Sequence, residues 1–139
     1  MENIENYPSW LVPAGIAKSL KKIGFNQSCE FCLPLDVYDD FNTRTLRFDS
    51  DKQNHNDCLG YLSIPTYEQV FEWFASRGWL GVILHLGTSD YSYRVQNRDM
   101  LILAVEDEVF SSYTEARESL IYEMMELYEG QNVLVPIKF

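Results

Sequence analysis

Apolar positions recur along this chain in two periods, one helical and one alternating. Ile16, Ala17, Leu20 and Ile23 follow Pro13 at helical spacing, Lys18, Lys21 and Lys22 lie off that stripe, and Gly24 stands where a C-cap belongs. From Cys29 to Ser63 the pattern shortens to strands. Glu30 to Val37 is mostly apolar, with Pro34 marking an edge position or a bulge; Thr43 to Phe48 alternates; and Leu59 to Ile64 ends at Pro65. Asp39-Asp40-Phe41-Asn42 supplies a hairpin turn, and Asp49 to Asp57, polar and without period, predicts an exposed loop.

Two further helices announce their own starts. Thr66-Tyr67-Glu68-Gln69 and Ser112-Tyr113-Thr114-Glu115 each place a hydroxyl residue three positions before Glu or Gln, the reciprocal capping box. The first box opens a helix to about Arg77, with Tyr67, Val70, Phe71 and Phe74 on its apolar face and Gly78 breaking it. The second opens a longer helix to about Glu129, with Tyr113, Ala116, Leu120, Met124 and Leu127 on one side, a row of glutamates on the other, and Gly130 as its stop. Between these helices Trp79–Leu86, Tyr91–Gln96 and Met100–Glu106 alternate with turn-rich joints and predict a β-meander. Val133 to Lys138 is a last strand candidate. The order α-βββ-α-βββ-α-β predicts one α+β domain over residues 1–139, three helices covering one face of an antiparallel sheet.

Composition narrows the picture. Apolar content of 46% and aromatic content of 14% over 139 residues supply a core, which excludes a disordered chain despite the net charge of −10. No run approaches the ~18–20 apolar residues of a membrane span, and Glu2 and Glu5 stand where a signal peptide carries basic residues. Three cysteines, an odd count, fit a reducing compartment, so the expectation is a cytoplasmic protein. The acidic balance argues against direct nucleic-acid binding, which depends on Lys and Arg, and favours a protein partner with a basic surface.

Three segments carry a resemblance, the third more weakly. Ile16-Ala17-Lys18-Ser19-Leu20-Lys21-Lys22-Ile23-Gly24-Phe25 leading to Cys29, and Pro65-Thr66-Tyr67-Glu68-Gln69-Val70-Phe71-Glu72-Trp73-Phe74, resemble short proteins of Bacteroidetes and their phages. Tyr113 to Arg117 is similar to the final helix of that group. Cys32 and the long acidic third helix depart from its pattern. The resemblance implies a phage-like or mobile-element accessory protein of unknown function and transfers no site residues.

Candidate chemistry is sparse. Cys29-x-x-Cys32 and His55-x-x-Cys58 are two ligand pairs of equal spacing, resembling a Cys3His structural zinc site. Against it, Leu33 and Pro34 follow the first pair where a knuckle uses a permissive residue, and buried cysteines serve equally as small core residues. His85, in an apolar strand, predicts a buried, hydrogen-bonded histidine rather than a catalytic base. Arg117 lies on the apolar side of the third helix, either stacked or paired within the chain or placed at an oligomer contact. Glu118, Glu123 and Glu126 form the acidic surface that would meet a basic partner. The leading expectation is a non-enzymatic interaction protein without cofactor; the alternative is a small zinc-stabilised domain.

Overall fold

The computed structural model describes residues 7–35, 46–97, 102–106 and 108–133. Along them run α1 (Ala14–Lys22), β1 (Cys29–Pro34), β2 (Arg47–Gln53), a 3₁₀ turn (His55–Asp57), β3 (Tyr61–Ile64), α2 (Tyr67–Ser76), β4 (Trp79–His85), β5 (Tyr91–Asn97), β6 (Ile102–Val105) and α3 (Tyr113–Val133). The class is α+β, in roughly the predicted order. The single sheet expected from the sequence is instead two antiparallel sheets of three strands, β2-β1-β3 and β4-β5-β6. The chain forms two compact units, Met1–Trp73 and Phe74–Phe139.

In the first unit, α1 begins after Pro13 and ends in the expected way, Gly24 taking a left-handed φ of 96° and its N–H bonding the carbonyl of Lys21. Ile16, Ala17 and Leu20 are buried with Leu33, Leu62 and Ile64, so these side chains form the unit's core. The first capping box is complete: Gln69 N–H donates to Thr66 Oγ1 at 3.0 Å, and Thr66 N–H donates to Gln69 Oε1 at 2.8 Å. Trp73, rather than the expected Phe71, is the buried aromatic of this turn; its indole N–H donates to Asn26 Oδ1 at 2.8 Å and its ring packs on Phe25.

Two strand assignments change. β1 is the central strand, not an edge, and Pro34 is accommodated because it is the last paired residue. β2 extends to Gln53, through half of the predicted loop. Pairing of Phe31 with Phe48 and of Cys29 with Gln53 leaves extra residues on β2, and Asp49 holds them by accepting from Asp51 N–H at 3.0 Å and Gln53 Nε2 at 2.6 Å. The predicted turn at Asp39–Asn42 lies outside the described residues.

In the second unit the meander is as predicted, with β4 and β5 in unbroken register from Trp79↔Asn97 to His85↔Tyr91. Ala116, Leu120, Ile121, Met124 and Met125 form the buried side of α3, while Tyr113 is 42% exposed, a rotation of the predicted stripe. Gly81 carries no side chain where a Cβ would stand 2.9 Å from Met124 Sδ and 3.0 Å from Leu120 Cδ2, so α3 approaches β4 there closely. The second capping box is half made: Glu115 N–H donates to Ser112 Oγ, but the Glu115 carboxylate accepts from Ser111 Oγ instead of returning to Ser112. Gly130 does not stop α3, which continues to Val133; a helical glycine weakens a helix by about 1 kcal/mol without ending it. Of the predicted last strand, Val133 ends α3 instead, and residues 134–138, with most of the joint Asn97–Asp99, lie outside the described residues.

Candidate functional site

The first sheet shapes an open hollow of about 350 Å³ that gathers three of the four predicted metal ligands, Cys32, His55 and Cys58, beside Arg47, Asp49 and Gln53. Cys32 reaches it from β1, and His55 and Cys58 come from the 3₁₀ turn and the residue after it. Cys29 does not line it. That thiol is buried and donates to the carbonyl of Gln27 at 3.4 Å. His55 is buried, and its Nε2 lies 3.1 Å from the carbonyl of Cys29; a carbonyl only accepts, so Nε2 carries the proton. Cys58 is half-buried, its Sγ 3.8 Å from Gln53 Oε1. Among the described residues no three His, Cys, Asp or Glu side chains are grouped as a metal site.

Burial decides the state of the thiols. It pushes Cys29 up to about 12, the nearby Ser63 hydroxyl and the Lys52 charge pulling back only in part. Burial likewise raises Cys32, against the lowering effect of Arg47. Both are therefore protonated near neutral pH, and a protonated thiol is a poor nucleophile. With a disulfide-exchange reagent such as DTNB at pH 8, Cys58 is expected to react first, and Cys29 and Cys32 only as the protein opens. Equal rates for all three would contradict this placement. Because the folded state holds the Cys29 proton more tightly than its ordinary value of 9.0, stability falls as pH rises above about 9, and Cys29→Ala should flatten that part of a stability–pH curve.

The predicted interaction residues on α3 do not make one patch. At about 100° per residue, Arg117 and Glu126 fall on opposite sides of the helix. Arg117 is half-buried, with its guanidinium 5.3 Å from the centre of the Tyr113 ring, which matches the stacked alternative. Glu118 and Glu123 are half-buried and Glu126 is exposed. Glu123 borders the buried Tyr93 hydroxyl, which donates to Glu106 Oε2 at 3.0 Å; desolvation, and then the charges of Glu126 and Glu106, raise the Glu123 carboxyl above its usual range. His85 is exposed rather than buried. It is the last residue of β4, beyond the covered part of the sheet, and its ring packs on Tyr91 and Tyr113.

A surface that the sequence reading did not single out lies on the second sheet. Residues directly opposed in an antiparallel pair share a face. Gly81, Tyr93 and Val95 share the face beneath α3, where Tyr93 and Val95 are buried and the Tyr93 hydroxyl lies 3.5 Å from Ser119 Oγ. The opposite face is formed by Leu80, Val82 and Leu84 of β4, Ser92, Arg94 and Gln96 of β5, and Ile102 and Val105 of β6. Leu80, Val82, Leu84 and Arg94 are half-buried and Ser92 and Gln96 are buried, so among its described residues the face is largely exposed along β6, where Ile102 and Val105 are each 56% exposed. Arg94 sits in the middle row, between Val82 and Val105, its Nε donating to Gln96 Oε1 at 3.0 Å. The signal was present in Trp79–His85, which is apolar at positions facing both ways; a strand with one solvated face alternates instead.

Comparison of the chain with protein-family models, with curated proteins and with solved structures finds no match. Among the described residues no helix is long and apolar enough to cross a membrane.

Proposed function

We propose that this chain is a non-enzymatic interaction protein whose contact surface is the face of the second sheet turned away from α3, exposed along β6. The observation that carries the reading is the aliphatic row on that face, Leu80, Val82 and Leu84 with the largely exposed Ile102 and Val105. Exposed aliphatic side chains that share a sheet face with half-buried ones are a candidate contact site. The resemblance of residues 16–25 and 65–74 to short proteins of Bacteroidetes and their phages suggests the setting, a phage-like or mobile-element accessory role. The acidic side of α3, with Glu118, Glu123 and Glu126, is a separate candidate for a basic partner.

The test compares three tagged proteins in lysate of the cells that make the chain: the natural protein, Val105→Asp, and a Glu118→Lys/Glu126→Lys variant. The expected result is a defined protein recovered by the natural and Lys variants and lost, at least about tenfold, with Val105→Asp. Recovery lost only with the Lys variant would move the contact to α3.

The second reading, a structural zinc site, is favoured by the meeting of Cys32, His55 and Cys58 at one hollow. Cys58→Ser separates the two. It should cost less than about 1 kcal/mol if Cys58 is an ordinary half-buried side chain, and several kcal/mol, with loss of one zinc per chain, if it holds metal.

A further inference from the structure

We infer that the face of the second sheet turned away from α3 receives, along its exposed β6 side, an apolar protein segment that places one carboxylate on Arg94. This rests on the reading of that face as the contact surface and adds the chemistry of its occupant. Among the described residues Arg94 is the one charged residue at the paired positions of the face, with Val82 and Val105 directly beside it and Leu80 and Ile102 flanking Gln96 in the next row. Gln96 Oε1 takes the Nε proton and thereby orients the guanidinium. A guanidinium has five N–H donors in a fixed fork, so the terminal nitrogens retain donors for a planar, bidentate acceptor.

Charge selects among occupants. A second copy would carry the same net charge of −10 and, in a two-fold arrangement on this face, bring a second Arg94 toward the first. A nucleic acid needs a run of cations along a backbone, and an isolated guanidinium within an aliphatic surround does not provide one. A single acidic side chain on an otherwise apolar segment satisfies both parts of the face. As that segment displaces water, the Arg–carboxylate pair strengthens, and arginine in such a setting is a frequent hot spot of protein interfaces.

The probe is a random library of short peptides selected against the full chain, with Arg94→Gln, Arg94→Lys, Arg94→Glu and Val105→Asp as comparison proteins of verified thermal stability. The expected selection is apolar peptides with one Asp or Glu. Their binding should weaken at least about tenfold with Arg94→Gln and less with Arg94→Lys, which keeps the charge. Selection against Arg94→Glu should exchange the acidic residue for Lys or Arg. Peptides that lose binding with Val105→Asp but ignore every change at Arg94 would overturn the carboxylate and leave the face. Failure to select any peptide sensitive to Val105→Asp would overturn both. A concentration-dependent dimer of the natural chain, dissolved by Val105→Asp, would also overturn the inference, because a second copy would then be the occupant.

Discussion

Replacing Asn56 by Ala is expected to lower the stability of the first unit by about 2–4 kcal/mol. The Asn56 amide stands between two backbone groups distant in sequence. Its Nδ2 donates to the carbonyl of Phe25 at 2.9 Å, and its Oδ1 accepts from the N–H of Ser63 at 2.9 Å. Those partners fix the amide orientation, since a carbonyl only accepts and an N–H only donates. Phe25 and Ser63 are each 1% exposed and Asn56 is half-buried, so water replaces the lost bonds only in part. Alanine would leave two buried backbone groups unsatisfied, each costing about 1–3 kcal/mol. Urea unfolding followed by tryptophan fluorescence measures this, because Trp73 lies in the same unit and packs on Phe25. Asn56→Asp gives a sharper check. It keeps the acceptor for Ser63 but sets a second oxygen against the Phe25 carbonyl, which raises the new carboxyl's folded pKa. The variant should therefore recover stability as pH falls, the protonated acid donating where the amide did. A loss below about 0.5 kcal/mol for Asn56→Ala would contradict the bridging role.

The second large effect lies where α3 meets β4. Leu120 is fully buried, and Leu120→Ala should cost about 2–5 kcal/mol through lost burial and the cavity left behind. Gly81→Ala should cost about 1–2 kcal/mol for the opposite reason, the added methyl meeting Leu120 Cδ2 at 3.0 Å and Met124 Sδ at 2.9 Å. The two changes are partly complementary, Leu120→Ala removing one of the two side chains that the added methyl strikes and leaving Met124. In the double variant the methyl added at position 81 enters space vacated by Leu120, so the combined loss should fall short of the sum by about 1 kcal/mol. Thermal or denaturant unfolding of the four proteins completes the cycle. Additivity within about 0.3 kcal/mol would contradict the contact.

The sequence was most legible where one residue type has one physical use. Thr66 and Gln69 marked a helix start because a hydroxyl and an amide at that spacing satisfy each other's backbone donors, and both bonds are made. The meander was legible because Tyr93 and Val95 are buried beneath α3 while Arg94 faces away, an alternation that a two-sided environment imposes. β2 was illegible from Asp49 onward because it is an edge strand whose side chains are mostly exposed, so no face selects apolar residues. Gly24 and Gly78 adopt positive φ and stop their helices, whereas Gly130 lies within α3; composition alone does not separate these uses. The two Cys/His pairs looked equivalent by spacing, yet the irregular pairing beside Cys29 and the bond from His55 Nε2 to its carbonyl give the four residues different surroundings. Arg94 was overlooked because its importance comes from neighbours on two other strands.

The most direct test of the contact surface is methyl NMR of the Ile, Leu and Val side chains, recorded while the chain is titrated with a selected acidic apolar peptide. The methyls of Leu80, Val82, Leu84, Ile102 and Val105 should shift together, while those of Leu20, Leu33 and Leu62 in the first unit's core stay in place. Shifts confined to the hollow beside Cys32 and Cys58, or to residues on the acidic side of α3, with the sheet methyls unmoved, would contradict that contact surface.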